Sequence, residues 1–147
     1  MKPVTHSVIS AATSGVFYYY THSWVGAAAC FLSGIFIDID HILDFIINKK
    51  RLPRDYADLW SFCAEEKDGK LYLFLHSYEL FIIFWILFFY YPWNDLWAGI
   101  LIGMTVHVLS DQAANPLRPG MYCLAYRVKH NFSKKWLFND EFYKTLK

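Results

Sequence analysis

The chain has 147 residues, of which 56% are hydrophobic and 20% aromatic, and its formal net charge is +1. This length fits one domain with a single helical core, and the hydrophobic content is high for a soluble domain of this size. The three cysteines are odd in number, lie far apart and form no Cys-x-x-Cys motif, which argues against a disulfide scaffold.

Four apolar stretches separated by polar turns predict four core helices. In chain order they cover residues 4–20, 24–47, 71–91 and 96–113. A helix that spans a membrane needs about 20 residues, so the second and third stretches are long enough and the first and fourth are marginal. We therefore predict an all-α fold, a single domain built as an antiparallel bundle of about four membrane-embedded helices. A soluble all-helical domain with an aromatic core is the alternative.

Two further segments are more polar than the core helices. Residues 55–66 place several apolar side chains on one face, which predicts a short surface helix before the turn at Asp68-Gly69. Prolines and a glycine break the chain after residue 113. The tail, residues 121–147, alternates aromatic residues with lysines, which is typical of an amphipathic interfacial segment.

Small residues recur at a spacing of four on three of the predicted helices. They are Ala11 and Gly15 on the first, Gly26, Cys30 and Gly34 on the second, and Gly99 and Gly103 on the fourth. Small residues at this spacing allow two helices to approach closely, as they do in lipid.

Positive charge is distributed unevenly along the chain. All fourteen Lys and Arg residues fall at Lys2, between Lys49 and Lys70, or from Arg118 onward, and the turns at 21–24 and 91–95 have none. In an antiparallel four-helix bundle this places every positive charge on one side, which the positive-inside rule identifies as cytoplasmic. We expect a multi-pass protein of a bacterial-type inner membrane, with membrane lipids and no nucleic acid as partners. The sequence leaves the oligomeric state open.

Seven side chains of the types that bind metals lie within this apolar sequence. They are His6, Asp38, Asp40, His41, His76, His107 and Asp111. Ionisable groups in such surroundings are rare unless they pair, bind metal or line a functional cavity. Counted from the two turns that lack positive charge, all seven lie 15–19 residues away, which is roughly 22–29 Å along a helix. Antiparallel helices would therefore bring them to one layer near the cytoplasmic face.

The spacing of these residues also predicts which of them face the same way. His107 and Asp111 are four apart, and Asp38 and His41 are three apart, so each pair shares a helix face. Asp40 would point elsewhere on a regular helix. Either the helix is distorted there, or one of the three residues in this run orients a ligand instead of binding the metal.

Other ionisable residues near this layer are weaker candidates. Glu79 and Asp44 each lie one turn from a candidate ligand, whereas His22 and His130 fall outside the layer and are interpreted as structural. Basic residues that flank the layer could attract anionic lipid headgroups; they are Lys49, Lys50, Arg51 and Arg54.

Mixed histidine and carboxylate ligands suit a divalent metal, zinc first, with manganese or iron as alternatives. Seven candidates exceed the four positions of one structural zinc, so one or two ions fit. Such a centre favours a metal-dependent hydrolase, a phosphoesterase that uses metal-activated water on a lipid or amphiphilic substrate. Whichever of Asp38 and Asp40 does not bind metal could act as the catalytic general base.

The order of short motifs resembles the YdjM-like family of LexA-regulated, membrane-bound metal-dependent hydrolases. The motifs are Thr5-His6-Ser7, Asp38-Ile39-Asp40-His41, His76-Ser77 and His107-x-x-x-Asp111, and together they cover roughly residues 1–115. The resemblance implies that these histidines and aspartates bind metal or act beside it. It also implies a remote relation to zinc-dependent phospholipase C. The chain departs from the family at Ile37, where members often have proline, and at Phe74 or Leu75, where an arginine is common.

Two non-enzymatic functions remain open from the sequence. The first is a membrane protein whose metal site holds the bundle together or conducts metal ions or protons. The second is an adaptor whose basic loop and aromatic tail bind a partner protein.

Overall fold

The computed structural model describes residues 3–67, 69–91 and 94–146, in which all regular secondary structure is helical, so the all-α prediction is confirmed. The helices are α1 (Pro3–Thr21), α2 (Trp24–Phe36), α3 (Ile39–Lys49), α4 (Tyr56–Ala64), a 3₁₀ turn (Phe74–His76), α5 (Tyr78–Tyr90), α6 (Asp95–Ala114), α7 (Leu124–Lys129), α8 (Lys134–Leu137) and α9 (Asp140–Thr145). Across the three described ranges, no helix combines the length and the apolarity that a membrane span requires.

The chain divides into two compact units. Unit 1 comprises Met1–Ile37 and Glu79–Asn115, and unit 2 comprises Asp38–Tyr78 and Pro116–Lys147. Unit 1 therefore contains α1, α2, α5 and α6, the most apolar helices. Unit 2 contains α3, α4, the 3₁₀ turn and the helices of the tail.

Unit 1 is held together by close contact between α2 and α6. A Cβ placed on Gly99 would lie 2.1 Å from the carbonyl oxygen of Gly26, and one on Gly103 would lie 2.2 Å from that of Cys30. Side chains larger than hydrogen do not fit at such distances, which confirms the predicted small-residue contact for these two helices. Gly15 differs, because nothing lies within 4 Å of its Cβ position.

The outer surface of unit 1 is apolar. Its sequence contains only four residues of the Lys, Arg, Asp and Glu types, which are Lys2, Glu79, Asp95 and Asp111. Large hydrophobic side chains are exposed on each of its helices, including Val4, Val8, Tyr19, Leu32, Phe36, Ile82, Ile86, Phe89, Trp97 and Leu109. Single exposed apolar residues are normal on a soluble domain, but here such residues occur on every helix of the unit.

The predicted helix at 24–47 is two helices, because the chain turns at Ile37 and Asp38 before α3 begins at Ile39. This break falls beside the run in which Asp38, Asp40 and His41 could not all face one way on a regular helix. In the structure Asp40 lies in the first turn of α3, where a carboxylate is favoured by the helix dipole.

The predicted helix at 71–91 begins only at Tyr78. Before it, the backbone N–H groups of Tyr72 and Leu73 donate to the carboxylate of Asp44, and those of Leu75 and His76 donate to that of Asp40. Donors that point at side chains cannot form a helical ladder, so these bonds replace the expected helix.

The tail, predicted to be an interfacial segment, supplies part of the interior of unit 2. Met121, Tyr122 and Leu137 are buried, and the charged side chains of Arg127 and Lys134 are buried with them. Both cations have hydrogen-bond acceptors in the same unit, as buried charges require. The surface helix predicted at 55–66 is present as α4.

Candidate metal-binding residues

Unit 1 contains two histidines and an aspartate that lie together, His6 on α1 and His107 and Asp111 on α6. Their exposed fractions are 3%, 2% and 3%. His6 Nε2 lies 3.1 Å from one carboxylate oxygen of Asp111, and His107 Nε2 lies 3.5 Å from the other. The two imidazole rings stack with their centroids 3.9 Å apart. Asp111 therefore contacts both of the predicted metal-binding histidines that belong to unit 1.

The hydrogen bonds around this set favour a metal-binding form of His107. Its Nδ1 lies 2.6 Å from the carbonyl oxygen of Gly34, a pure acceptor, so Nδ1 carries the proton and the lone pair is on Nε2. Such an outer bond to a backbone carbonyl is the usual way in which a ligating histidine is oriented. Asn115 donates to Asp111 at 2.9 Å. His6 Nδ1 is buried and has no hydrogen-bond partner among the described residues.

Unit 2 contains a second set of the same composition, which consists of Asp38, His41 and His76. One carboxylate oxygen of Asp38 lies 3.7 Å from His41 Nε2 and 3.7 Å from His76 Nε2. These distances are too long for hydrogen bonds. Two donor atoms bound to one zinc ion at about 2.0–2.1 Å with tetrahedral angles stand roughly 3.4 Å apart. The spacing in this set therefore matches that of ligands around an ion.

Asp40 has a different task from Asp38. Its buried carboxylate lies 3.2 Å from His76 Nδ1 and also accepts the backbone N–H groups of Leu75 and His76. A carboxylate on Nδ1 holds the imidazole so that Nε2 presents its lone pair to a metal. Sequence reasoning left open which residue of the run would take this orienting role. In the structure it is Asp40.

His41 is held from its other side by a residue that sequence reasoning did not assign to the site. Cys63 Sγ on α4 lies 3.6 Å from His41 Nδ1. Burial raises the pKa of the Cys63 thiol to about 12, so at neutral pH it contacts His41 as a thiol and not as a thiolate. A cysteine on a predicted surface helix gives no signal of this contact, because the contact depends on how α3 and α4 pack.

The two weaker candidates, Asp44 and Glu79, lie in different elements. Asp44 is buried and accepts the N–H groups of Tyr72 and Leu73 at 3.0 and 3.3 Å. Burial raises its pKa to about 7, although these hydrogen bonds act in the opposite direction. Glu79 is half-buried in the first turn of α5.

Two of the four predicted headgroup-binding cations are already paired within unit 2. Lys49 Nζ lies 2.7 Å from a carboxylate oxygen of Glu66, and Arg51 makes a bidentate pair with Asp58. The hydrogen bond from Arg51 lowers the pKa of Asp58 well below its usual range. Lys50 and Arg54 are exposed. The binding of anionic headgroups by these four cations stays a prediction.

The buried cations of the tail were also missed from the sequence. Arg127 is fully buried and donates to the carbonyl oxygens of Tyr72 and Leu73 and to the hydroxyl of Ser77. Lys134 donates to the carbonyl oxygens of Phe62 and Glu66, and burial lowers its pKa to about 8. In a tail with many lysines and aromatic residues, nothing in the sequence separates these two cations from exposed ones.

Four donors among the described residues could hold a metal ion. They are His107 and Asp111 in unit 1 and Asp38 and His76 in unit 2, and all but Asp38 are buried. His6 joins the first pair and His41 the second through the contacts given above. No family model, no curated protein and no solved structure matches this chain, so the assignment of these donors depends on their geometry.

Proposed function

We propose that this protein is a membrane-bound, metal-dependent hydrolase that acts on phosphoesters of lipid or amphiphilic substrates. The observation that supports this most strongly is the repeated donor set of two histidines and one aspartate. Catalytic zinc sites commonly use three such protein ligands and keep a further position for water. Zinc is the first choice of metal, with manganese or iron as alternatives, and one or two ions fit six donors.

A bound divalent ion would supply an acidified water near neutral pH and would polarise a phosphoryl oxygen. The protein's own groups do the rest. Asp40 and the Gly34 carbonyl fix the orientation of His76 and His107. Asp40 is buried, and its Oδ2 already contacts His76 Nδ1 and two backbone N–H groups, so it is the poorer candidate for a general base. Asp38, whose side chain is 32% exposed, is accessible to water and is the better candidate for that role or for a ligand.

The proposed membrane association is supported by the surface of unit 1. Its helices expose large aliphatic and aromatic side chains, and its sequence has four charged residues in all. An apolar surface of this kind would be covered by lipid tails. The resemblance to the YdjM-like family, together with the placement of Lys and Arg, favours a bacterial-type inner membrane with the donors near its cytoplasmic face.

Metal content and turnover test this proposal separately. The protein, purified in detergent, is analysed for bound metals and then assayed on a panel of phospholipids and small phosphoesters. His107→Ala and His76→Ala are the test variants, and His130→Ala, which lies outside both donor sets, is the matched control. We expect metal in the parent and the control and less in the test variants. Bound metal without turnover on any substrate would refute the hydrolase assignment.

The burial of the unit 1 set favours a second candidate function. His6, His107 and Asp111 are each no more than 3% exposed, and a closed site is typical of structural metals. In that case the protein would hold a metal that stabilises its helices and would catalyse nothing. Replacement by cobalt separates the two functions, because its visible spectrum changes on addition of azide only if the ion has an exchangeable position.

A further inference from the structure

The segment of residues 72–77, called here the His76 segment, is held in a conformation that its sequence does not favour. The apolar run from residue 71 onward predicts a helix, yet the segment forms only a 3₁₀ turn, and Leu73 has a φ of 46°. Residues with a side chain rarely adopt this left-handed conformation. Some external contact must therefore stabilise the segment against the helix.

Acceptors on α3 satisfy the N–H groups of this segment. Asp44 accepts those of Tyr72 and Leu73, and Asp40 accepts those of Leu75 and His76. These bonds fix one side of the backbone. Within the segment the N–H of His76 also donates to the carbonyl oxygen of Leu73 at 3.0 Å, which leaves the carbonyl oxygen of Tyr72 to be satisfied by another element.

Arg127 on α7 supplies the missing donors. Its Nη1 donates to the carbonyl oxygens of Tyr72 and Leu73, the second at 2.6 Å, and its Nη2 donates to the hydroxyl of Ser77 at 2.5 Å. The guanidinium is planar and holds its donors at fixed angles, so one side chain can clamp both ends of a short segment. Its positive charge also acts on the buried carboxylate of Asp44.

The contacts of His76 follow from this arrangement. Its Nδ1 lies 3.2 Å from Asp40, and its Nε2 lies 3.7 Å from Asp38. A helical segment would change the direction of the His76 side chain, because its backbone N–H groups would turn away from Asp40 and Asp44. The non-helical conformation is therefore a condition for placing Nε2 beside Asp38.

We propose that Arg127 is a positioning residue, which holds the His76 segment out of the helical conformation so that His76 is directed at the metal-binding donors of unit 2. The effect of Arg127 on metal binding rests on the proposed metal-dependent function. Its effect on the conformation of the segment rests only on the contacts of Arg127. The contacts of Arg127 given above are to carbonyl oxygens of the segment and to the Ser77 hydroxyl, so it acts on the donors through His76.

Hydrogen exchange and metal affinity test the two parts independently, in the full chain. Arg127→Met removes the guanidinium, and Arg127→Lys keeps the charge without the planar fork. Arg118→Met is the matched control, because Arg118 lies in the same unit and donates to the carbonyl oxygen of Phe138 and the carboxylate of Asp140. We expect at least about 10-fold faster exchange in Arg127→Met at the amides of Tyr72, Leu73, Leu75 and His76, with α4 and unit 1 unchanged.

Metal affinity should fall in the same variants. A change in a residue that orients a ligand costs about 10–100-fold in affinity, so we expect that loss in Arg127→Met, a smaller loss in Arg127→Lys and none in Arg118→Met. Binding of cobalt, followed by its visible spectrum, would show an altered ligand geometry that a purely structural role for Arg127 would not produce.

The failure of this inference differs from that of the proposed function. If the parent binds no metal, the proposed function is wrong, and the exchange rates still show whether Arg127 holds the segment. If Arg127→Met unfolds unit 2 as a whole, the exchange rates and the metal affinity of Arg127→Lys provide the test instead. Wild-type exchange rates and wild-type affinity in Arg127→Lys would overturn the role assigned to the planar fork.

Discussion

The close contact between α2 and α6 predicts a large penalty for one added methyl group at Gly99. The Cβ of Gly99→Ala would lie 2.1 Å from the Gly26 carbonyl oxygen and 2.9 Å from its carbon. Ordinary contacts begin near 3.4 Å, so the helices must separate by about 1 Å or more. Overpacking of this kind costs about 1–3 kcal/mol, and alanine's better helix propensity recovers at most about 1 kcal/mol. Because the added methyl group meets backbone atoms, we expect the upper end of this cost, a net loss of about 2 kcal/mol.

Gly15→Ala is the matched control for this substitution. It makes the same chemical change on a helix of the same unit, and nothing lies within 4 Å of its Cβ position. We expect it to be neutral or to stabilise the protein by up to about 1 kcal/mol. Equilibrium unfolding of both variants by denaturant in one detergent measures the difference. Equal stability of the two variants would refute the packing of α2 against α6 described above.

Three further predictions concern the donors and the buried charges. Asp40→Asn should lower metal affinity about 10–100-fold, measured by competition with a chelator, whereas Lys50→Gln should not; equal affinities would contradict the orienting role of Asp40. A chelator should lower the melting temperature of the parent, because bound metal stabilises the folded state, but should have little effect on His107→Ala; no shift in the parent would speak against a metal site. Burial lowers the pKa of Lys134 in the folded state to about 8, below its usual 10.5. Between these pH values the unfolded state binds more protons than the folded state. The contribution of Lys134 to stability should therefore rise as pH increases from 8 to 10, by up to about 3 kcal/mol. Urea unfolding at pH 7.5 and 10 should show this rise as a change in the stability difference between the parent and Lys134→Met, because the raised pKa of the Cys63 thiol lowers the stability of both proteins over the same range.

The sequence predicted the class of the fold and two helices of unit 1, α1 and α6, closely. The predicted helices at 4–20 and 96–113 correspond to α1 and α6, each within one residue at both ends. These helices are long and nearly free of charge, and they end at polar turns, so local pattern determines them. The small residues that allow α2 and α6 to touch were also visible, because a spacing of four depends only on helix geometry.

Unit 2 was harder to predict because distant residues determine its backbone. The His76 segment has the composition of a helix, and carboxylates from α3 and the guanidinium of Arg127, 50 to 55 positions away, hold it otherwise. Tertiary contacts of this kind override local preference. The burial of Lys134 has the same origin, since its acceptors at Phe62 and Glu66 lie on and after α4. No local property of the tail carries this information.

The run Asp38-Ile39-Asp40-His41 shows how a misfit between pattern and geometry can identify a site. Two carboxylates two residues apart cannot serve one histidine from a regular helix. The chain interrupts the helix before α3, and Asp38 and Asp40 then approach opposite nitrogens of the same imidazole, that of His76. The distances differ: Asp40 lies 3.2 Å from Nδ1, within hydrogen-bonding range, and Asp38 lies 3.7 Å from Nε2, where an ion could stand between the two atoms. The shorter contact orients the ring and the longer one leaves room for metal. The sequence motif is therefore best understood as one ligand and one orienting carboxylate, separated by a helix start.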